Sequence, residues 1–424
     1  MFVTPASRHY TFAAMKAKVG GRTGSRRLVA GRASAVGVLA VAVGSVLGCG
    51  GRSGLLSLPT DSDSGGALAA ATGNGTAVGA PIGGVRGGRR DPSMPPSQLP
   101  NWQRVPGAGP NRRWGSGMAY DQARQVLSLF GGWSDLVANE AGTWPLNDTW
   151  EWDGHSWSLM ANARIDGVLQ PGEAPVAWIY FGMTYDPRRR RVITHGGYTN
   201  GLADNCGAVD TLLNASRATW QWDGTRWKPL TCDGPEAINI ELVYDTARDR
   251  VVMVGGVPDP PAYRMGSKYG TWELAGDNWL RVGDAPSLLA DDPALTSPGY
   301  AMAFDGVRRV TVLQVNGNTW EWDGNSWELK STEGPREERV GQIGVRFGNE
   351  MAYDAQRARS VLLAYDSTWE WDGKRWEERS LAPTPPRTST HPVYDEAQGY
   401  VMLFGGDTGN YGHGPLGDTW VYRP

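Results

Sequence analysis

The stretch Asp148-Thr-Trp-Glu-Trp-Asp-Gly-His-Ser-Trp157 recurs along this chain in copies that keep its aromatic and turn residues. Close copies begin at Ala218, Asn318 and Ser367, and a looser one reads Gly270-Thr-Trp-Glu-Leu-Ala-Gly-Asp-Asn-Trp279. Self-similarity of this kind indicates a fold assembled from repeated supersecondary units that stack on one another.

Each copy has the pattern of a β-hairpin. In Thr149-Trp-Glu-Trp152, large and polar side chains alternate with the period of two that places them on opposite faces of a strand. Asp153-Gly154 then supplies a tight turn, because glycine tolerates positive φ and aspartate can bond to its own backbone. One isolated hairpin cannot bury its tryptophans, so neighbouring units must cover them.

A second signature precedes each of these hairpins and completes a four-stranded unit. In the first unit, Met118-Ala-Tyr-Asp121 leads to the apolar strand Val126-Leu-Ser-Leu-Phe-Gly-Gly132. The same first strand ends five more times, at Asp186, Asp245, Asp305, Asp354 and Asp395. Arginine stands three residues after this aspartate at Arg124, Arg189, Arg248, Arg308 and Arg357. We interpret these Asp and Arg residues as local turn partners and not as catalysts.

The four-stranded unit resembles the kelch repeat, with its Gly-Gly pair and spaced aromatic residues, over residues 102–424. The fourth and fifth units depart from that pattern, with Asn316-Gly317 and Tyr365-Asp366 in place of the double glycine. The segment Asn101-Trp-Gln-Arg-Val105 has the pattern of a fourth strand, and Asp418-Thr-Trp-Val-Tyr422 that of a third. The sequence therefore predicts an all-β, six-bladed kelch-type β-propeller over 101–424, with four antiparallel strands per blade and a ring closed by both termini.

Residues 1–48 have the pattern of an export signal. Seven basic residues and no acidic residue occur before the apolar run 33–48 ends, and Met15 is a second possible start. The run Val46-Leu-Gly-Cys49 resembles the bacterial lipobox, which implies cleavage before Cys49 and lipidation of its thiol. An ordinary signal or a short anchor is the alternative. Because Gly50 and not Asp follows the cysteine, the resemblance implies a lipid-anchored protein of the bacterial cell envelope, at the outer membrane.

The amino-acid composition distinguishes residues 49–100 from the repeat region and argues against a nucleic-acid partner. Residues 49–100 are rich in glycine, serine and proline, which predicts a flexible tether. Without the seven basic residues of the signal, 34 basic side chains remain against 44 acidic ones, a net charge of −10. No basic field is left to attract phosphates, so we expect no nucleic-acid partner.

The connections between strands alternate between the two faces of the predicted disc. One face, here called the turn face, carries the short turns after the first and third strands. The other, the loop face, carries long second-to-third strand loops in the first, second, third and sixth blades, and it is the candidate surface for binding a protein or a glycan. The candidate ligand-binding residues are aromatic and acidic side chains of these loops, with packing of the loops on themselves as the alternative: Trp133, Asp135, Trp144, Tyr198, Asp204, Tyr263, Tyr269 and Tyr411.

Two further cysteines lie on the same face. Cys206 belongs to the long loop of the second blade and Cys232 to the connection that leaves this blade. In an exported protein a disulfide between them is expected, and two free thiols are the alternative.

The kelch resemblance raises the question of a catalytic site. Galactose oxidase carries kelch-type repeats, which implies asking for a copper site, but the histidines after the signal lack an adjacent Tyr-His pair: His155, His195, His391 and His413. Zinc, nucleophile-elbow and phosphate-loop motifs are absent from the sequence. We therefore expect no catalytic residue, no metal and no cofactor, and a non-enzymatic binding module.

Two other functions stay open. Some kelch propellers resemble sugar mutarotases or epimerases, which need only an acid, a base and a wet pocket. The feature that would favour such an enzyme is a pair of carboxylate or histidine side chains converging at the mouth of the central channel. A scaffold in a larger envelope assembly is the third possibility, and a large apolar patch on the side of the disc would favour it.

Overall fold

The computed structural model describes residues 101–139, 142–162, 164–165, 168–169, 174–175, 179–198, 206, 215–256, 270–286, 300–336, 350–364, 367–381, 387–408 and 414–423. Every regular element within them is a β-strand, and they contain no helix long and apolar enough to cross a membrane. The predicted signal at 1–48, the tether at 49–100 and Cys49 lie outside the described residues.

Six antiparallel sheets of four strands each form the blades of the propeller, which confirms the predicted architecture. The chain begins with β1 (Asn101–Val105) and forms the first blade and its loop hairpin from β2 (Gly117–Asp121), β3 (Val126–Phe130), β4 (Trp133–Asn139), β5 (Gly142–Pro145), β6 (Asp148–Trp152) and β7 (Trp157–Asn162). The short hairpin β8 (Arg164–Ile165) and β9 (Val168–Leu169) precedes the second blade, β10 (Ile179–Asp186), β11 (Arg191–Tyr198), β12 (Thr219–Trp222) and β13 (Trp227–Thr231).

The remaining four blades repeat the same order of strands. The third contains β14 (Ile238–Asp245), β15 (Arg250–Gly256), β16 (Gly270–Ala275) and β17 (Asn278–Asp284), and the fourth β18 (Tyr300–Asp305), β19 (Val310–Val315), β20 (Asn318–Trp322) and β21 (Trp327–Ser331). The fifth contains β22 (Glu350–Asp354), β23 (Arg359–Leu363), β24 (Ser367–Trp371) and β25 (Trp376–Leu381), and the sixth β26 (Val393–Asp395), β27 (Tyr400–Phe404) and β28 (Thr419–Arg423).

The sixth blade is completed by β1, from the other end of the repeat region. Strand β1 pairs antiparallel with β28, from Asn101 opposite Arg423 to Val105 opposite Thr419. This pairing confirms the predicted closure of the ring by both termini, and we call the β1–β28 pair the clasp. It satisfies the backbone groups of β28 on its outer side, so that the last blade has the same four strands as the others.

The blades are joined by one hydrogen bond that recurs between all neighbours. A tryptophan at the first or second position of each fourth strand donates from Nε1 to a threonine hydroxyl in the third strand of the preceding blade, at 2.7–3.1 Å. The pairs are Trp157 with Thr419, Trp227 with Thr149, Trp279 with Thr219, Trp327 with Thr271, Trp376 with Thr319 and Trp102 with Thr368. Stacking of the units therefore both buries the indole rings and satisfies their N–H groups.

The repeated Asp and Arg residues have the local role assigned to them from the sequence. Asp121 accepts hydrogen bonds from the backbone N–H of Ala123 and from Nε of Arg124, the latter at 2.7 Å. Arg124 also donates to Glu151 on the third strand at 2.8 Å. The same Asp–Arg–Glu bonding occurs in the third, fourth and fifth blades, where it ties the first turn to the sheet.

The loop face also follows the prediction where it is described. The first blade inserts the β4–β5 hairpin between its second and third strands, whereas the fourth blade connects them through Asn316 and Gly317 alone. Cys206 and Cys232 are joined by a disulfide with Cα atoms 5.3 Å apart, as expected for this face.

Candidate functional site

The first strands of the six blades surround a central cavity of about 400 Å³. At the turn face, the cavity is lined by the residue that follows each turn aspartate, namely Gln122, Pro187, Thr246, Gly306, Ala355 and Glu396. From there it extends along the strands towards the loop face. Its volume lies within the ~300–1,000 Å³ that small-molecule sites usually enclose.

Two glutamates and a histidine converge in this cavity. One ligand atom from each of Glu241, Glu350 and His391 lies within 4.8 Å of the others, and Oε1 of Glu241 is 3.9 Å from Nε2 of His391. The three residues come from three blades: Glu241 from β14, Glu350 from the start of β22, and His391 from the segment before β26. Only closure of the ring brings them together.

The three residues occupy one position of the repeat. Each lies four residues before the aspartate that ends the first strand, and the other three blades carry Gly117, Gly182 and Ala301 there.

The glycines at this position are required by close packing of neighbouring blades. A Cβ at Gly117 would lie 2.5 Å from the ring of Phe181, and one at Gly182 would lie 2.5 Å from Cγ of Leu242. Small residues thus allow the first strands to approach in those blades, whereas the third, fifth and sixth blades carry ionisable groups at the equivalent position.

Burial governs the protonation of the cluster. It raises the pKa of Glu241 and of Glu350, and the negative charge of Glu241 raises the pKa of Glu350 further. Burial also lowers the pKa of His391 to about 4, against a smaller opposing effect of a hydrogen bond to the backbone of Ser116. No lysine or arginine is among the described residues that line the cavity, so no cationic side chain there offsets these effects. The fold therefore favours a proton held on the glutamate pair and an uncharged imidazole.

The same donor set meets the general requirements of a divalent cation. Two carboxylates and an imidazole from three blades could bind an ion such as Mn²⁺ or Zn²⁺ and leave positions open for a ligand. As a protonated pair, the glutamates can transfer a proton to or from a molecule in the cavity. As metal ligands, they can hold a cation that contacts this molecule.

The half-buried glutamates of the cluster should lower the stability of the fold at higher pH. Because the pKa of Glu350 is raised in the folded state, its contribution to stability is fully present below the unfolded pKa and is lost as pH rises towards the folded value. Glu350→Gln does not titrate, so its Tm should exceed that of the unchanged protein by about 3 °C at pH 8 and by much less at pH 5.

Thermal denaturation at both pH values, with a chelator present, measures this difference. A Tm difference that does not grow with pH would show that Glu350 is not held protonated by the fold.

The structure describes three of the ligand-binding residues predicted from the sequence. Trp133 is half-buried, with its ring stacked on Trp114 at a centroid distance of 6.4 Å. Asp135 is exposed and accepts hydrogen bonds from Nε and Nη2 of Arg112, at 2.6 and 2.7 Å. Tyr198 is half-buried at the end of β11, bridged to Ala215. Asp204, Tyr263, Tyr269, Tyr411 and the side chain of Trp144 lie outside the described residues.

None of these predicted residues belongs to the glutamate–histidine cluster. The sequence patterns indicate no role for Glu241 or Glu350, and they raise His391 only as a possible copper ligand. The missing signal was available in the repeats, since alignment of the six units on their turn aspartates places two Glu and one His where the other units have Gly or Ala. Their convergence, however, depends on the order and number of blades.

Comparison with known proteins finds solved structures that resemble this chain only distantly. Neither a protein family nor a curated protein sequence matches the chain. A gluconolactonase from Xanthomonas campestris is 13% identical, with 77% of this chain and 94% of that one covered and a TM-score of 0.41. An auxiliary nutrient binding protein from Bacteroides thetaiotaomicron is 9% identical, with 75% and 70% covered and a TM-score of 0.42. A protein of unknown function from the same organism is 11% identical, with 73% and 82% covered and a TM-score of 0.33.

The expectation that this protein is not an enzyme is corrected here. The finding that overturns it is the similarity to a gluconolactonase, although at 13% identity and a TM-score of 0.41 this similarity assigns no reaction to the chain. The physical reason for the wrong expectation is that it rested on short linear motifs, whereas ionisable groups of a propeller channel come from separate blades.

Proposed function

We propose that the protein is a carbohydrate-active enzyme that catalyses proton transfer on a cyclic sugar, of the mutarotase or epimerase type, in its central channel. The observation that carries this proposal is the convergence of Glu241, Glu350 and His391 within 4.8 Å in a cavity large enough for a monosaccharide. Paired carboxylates in such proximity cannot both ionise readily, so one acts as an acid while the other acts as a base.

The pair would open the ring of a sugar hemiacetal. Glu241, as the carboxylate, accepts the proton of the anomeric hydroxyl, and Glu350, whose pKa is raised further by that carboxylate, donates a proton to the ring oxygen. The bond between the anomeric carbon and the ring oxygen breaks as the carbonyl forms. Rotation and ring closure return both protons and give the other anomer. His391, uncharged, is placed to hydrogen-bond a neighbouring hydroxyl.

The test is an assay of anomer interconversion with the full chain. Freshly dissolved α-anomers of glucose, galactose and N-acetylglucosamine are followed by NMR, and sugar lactones are included because the same base could activate water. We expect catalysis that Glu350→Gln removes and that a chelator leaves unchanged. If a chelator removes the activity and a divalent cation restores it, the reaction is metal-assisted and the proposed proton transfer is wrong. The absence of activity on every substrate would contradict the proposal.

We also propose that this enzyme is an exported kelch-repeat lipoprotein anchored in the bacterial outer membrane. The lipobox-like run ending at Cys49 supports the anchor, and the Gly-Gly pairs and spaced aromatics of the blades support the kelch assignment. The Cys206–Cys232 disulfide supports export, because such bonds persist mainly outside the cytoplasm.

Lipidation at Cys49 has a simple test. Cys49→Ser should move the protein from the membrane fraction to the soluble extracytoplasmic fraction, because the acyl chains supply the membrane affinity. Fractionation with immunoblotting measures the shift, and Cys206→Ser provides a control that changes a cysteine without touching the anchor. Retention of the Cys49 variant in membranes would contradict a lipid anchor.

A further inference from the structure

Three aromatic side chains lie together near the loop-face end of the channel. Trp114 stacks on Trp133 at 6.4 Å and 29°, and its ring is 6.1 Å from that of Tyr180 at 54°. Trp114 and Trp133 are half-buried, whereas Tyr180 is 42% exposed. We call these three residues the aromatic platform.

The platform lies outside the repeat that builds the blades. The interblade tryptophans are placed by the fold and donate to threonines of neighbouring blades, as described above. Trp114, by contrast, has Ile179, Ile238 and Thr388 as its equivalents in the second, third and sixth blades. Where a repeat changes without loss of a core contact, the changed residues are candidates for a functional role.

Tyr180 is held in a conformation that its residue type disfavours. Its φ is 61°, and the described residues at the same position of other blades, six before the turn aspartate, also have positive φ: Gly115 at 68°, Asn239 at 51° and Ser389 at 56°. The fold therefore imposes a left-handed backbone here, which glycine and asparagine adopt easily and a bulky side chain does not. A left-handed backbone at a large side chain that is 42% exposed costs stability, and such strain is concentrated at functional sites.

The platform has a rigid base. Arg113, fully buried, forms a two-pronged ion pair with Asp148 at 2.6 and 2.9 Å, immediately before Trp114. Trp114 and Trp133 also exchange two backbone hydrogen bonds, at 2.9 and 3.1 Å. Side chains fixed in this way lose little conformational freedom when a ligand stacks on them.

The position of the platform relates it to the glutamate–histidine cluster. Tyr180 lies two residues before Gly182, which is the equivalent of Glu241, Glu350 and His391 in the second blade. Because β10 runs from the loop face towards its turn aspartate Asp186, Tyr180 lies on the loop-face side of the level of the cluster. The exposed pair Arg112–Asp135 adds polar groups beside the platform, since Asp135 is two residues from Trp133 in β4.

We propose that Trp114, Trp133 and Tyr180 form a sugar-binding subsite in which the apolar C–H face of a pyranose ring stacks on the aromatic platform. The electron-rich faces of the aromatic rings attract the slightly positive C–H groups, and Arg112 and Asp135 hydrogen-bond hydroxyls at the edge of the sugar. The subsite deepens the proposed function and rests on it for the class of substrate. It holds the sugar at the loop-face approach to the catalytic pair.

Tyr180→Gly tests the subsite, with Asn239→Gly as the matched control. Both replace a left-handed residue at the same position of adjacent blades, but only the first removes an aromatic ring. Binding is measured on the full chain in the Glu350→Gln background by saturation-transfer NMR and calorimetry. The probes are glucose, galactose, N-acetylglucosamine and glucuronic acid.

We expect Tyr180→Gly to weaken the affinity for the best-bound sugar by about tenfold, while Asn239→Gly leaves it within about twofold. The Tm of Tyr180→Gly should change little, because relief of the backbone strain offsets the lost contact with Trp114. Unchanged affinity in Tyr180→Gly, an equal loss in Asn239→Gly, or no binding of any probe would overturn the subsite.

The two proposals can fail separately. Tyr180-dependent binding without any catalysed anomer exchange would remove the proposed enzyme and keep the subsite. Activity that depends on Glu350 but not on Tyr180 would keep the enzyme and remove the subsite.

Discussion

Glu350→Gln is expected to lower kcat/KM for anomer interconversion by about 10²–10⁴-fold, the usual contribution of a positioned general acid or base. Glutamine keeps the shape of the protonated glutamate but cannot donate its proton to the ring oxygen. KM should change little, because the transferred proton matters in the transition state more than in the bound ground state. The measurement is the rate of exchange between anomers by NMR, with correction for the uncatalysed rate.

Three further variants make this result specific to the cluster. Glu396→Gln changes a carboxylate at the turn-face end of the same cavity, where it accepts a hydrogen bond from Gln122, and it should retain the full rate. Glu241→Gln should lose about as much as Glu350→Gln, and the double variant little more, because residues that act as one unit are not additive. A folded Glu350→Gln that keeps its rate within about twofold would exclude this glutamate from catalysis.

Deletion of Asn101–Val105 should destabilise the propeller by at least about 5 kcal/mol, the second large effect that we expect. The deletion removes Trp102, which is 4% exposed and donates to Thr368 of the fifth blade. It also removes the whole ladder with β28 and leaves that strand as an open edge. We expect the deletion to lower the Tm by about 10 °C or more and to cause aggregation on heating.

The matched control deletes residues 91–95, which takes the same length of chain from outside every described strand. Trp102→Ala should show an intermediate loss of about 3–5 kcal/mol, because the ladder with β28 remains. If the deletion of Asn101–Val105 and that of 91–95 have the same Tm, the ring does not depend on its clasp.

Three local sequence patterns predicted the blades and the clasp. They are the alternation in Thr-Trp-Glu-Trp, the Asp-Gly turns and the strands that end in Tyr-Asp. Local hydrogen bonds such as that of Asp121 with Arg124 were predictable for the same reason, since three residues separate the partners. The cluster was not predicted, because Glu241, Glu350 and His391 stand in no common motif and each immediately precedes the pattern that identifies the first strand of its blade.

The sequence by itself determined the repeat, the number of blades, their strand order and the closing of the ring, because each depends on periodic patterns that the chain states locally. Only the tertiary structure decided which residues meet. Glu241 and His391 are 150 positions apart, and their side chains come within 3.9 Å because six blades of equal register return the first strands to one axis. The strain at Tyr180 was likewise decided by the fold, since the left-handed backbone at that position is imposed by the blade and not by the tyrosine.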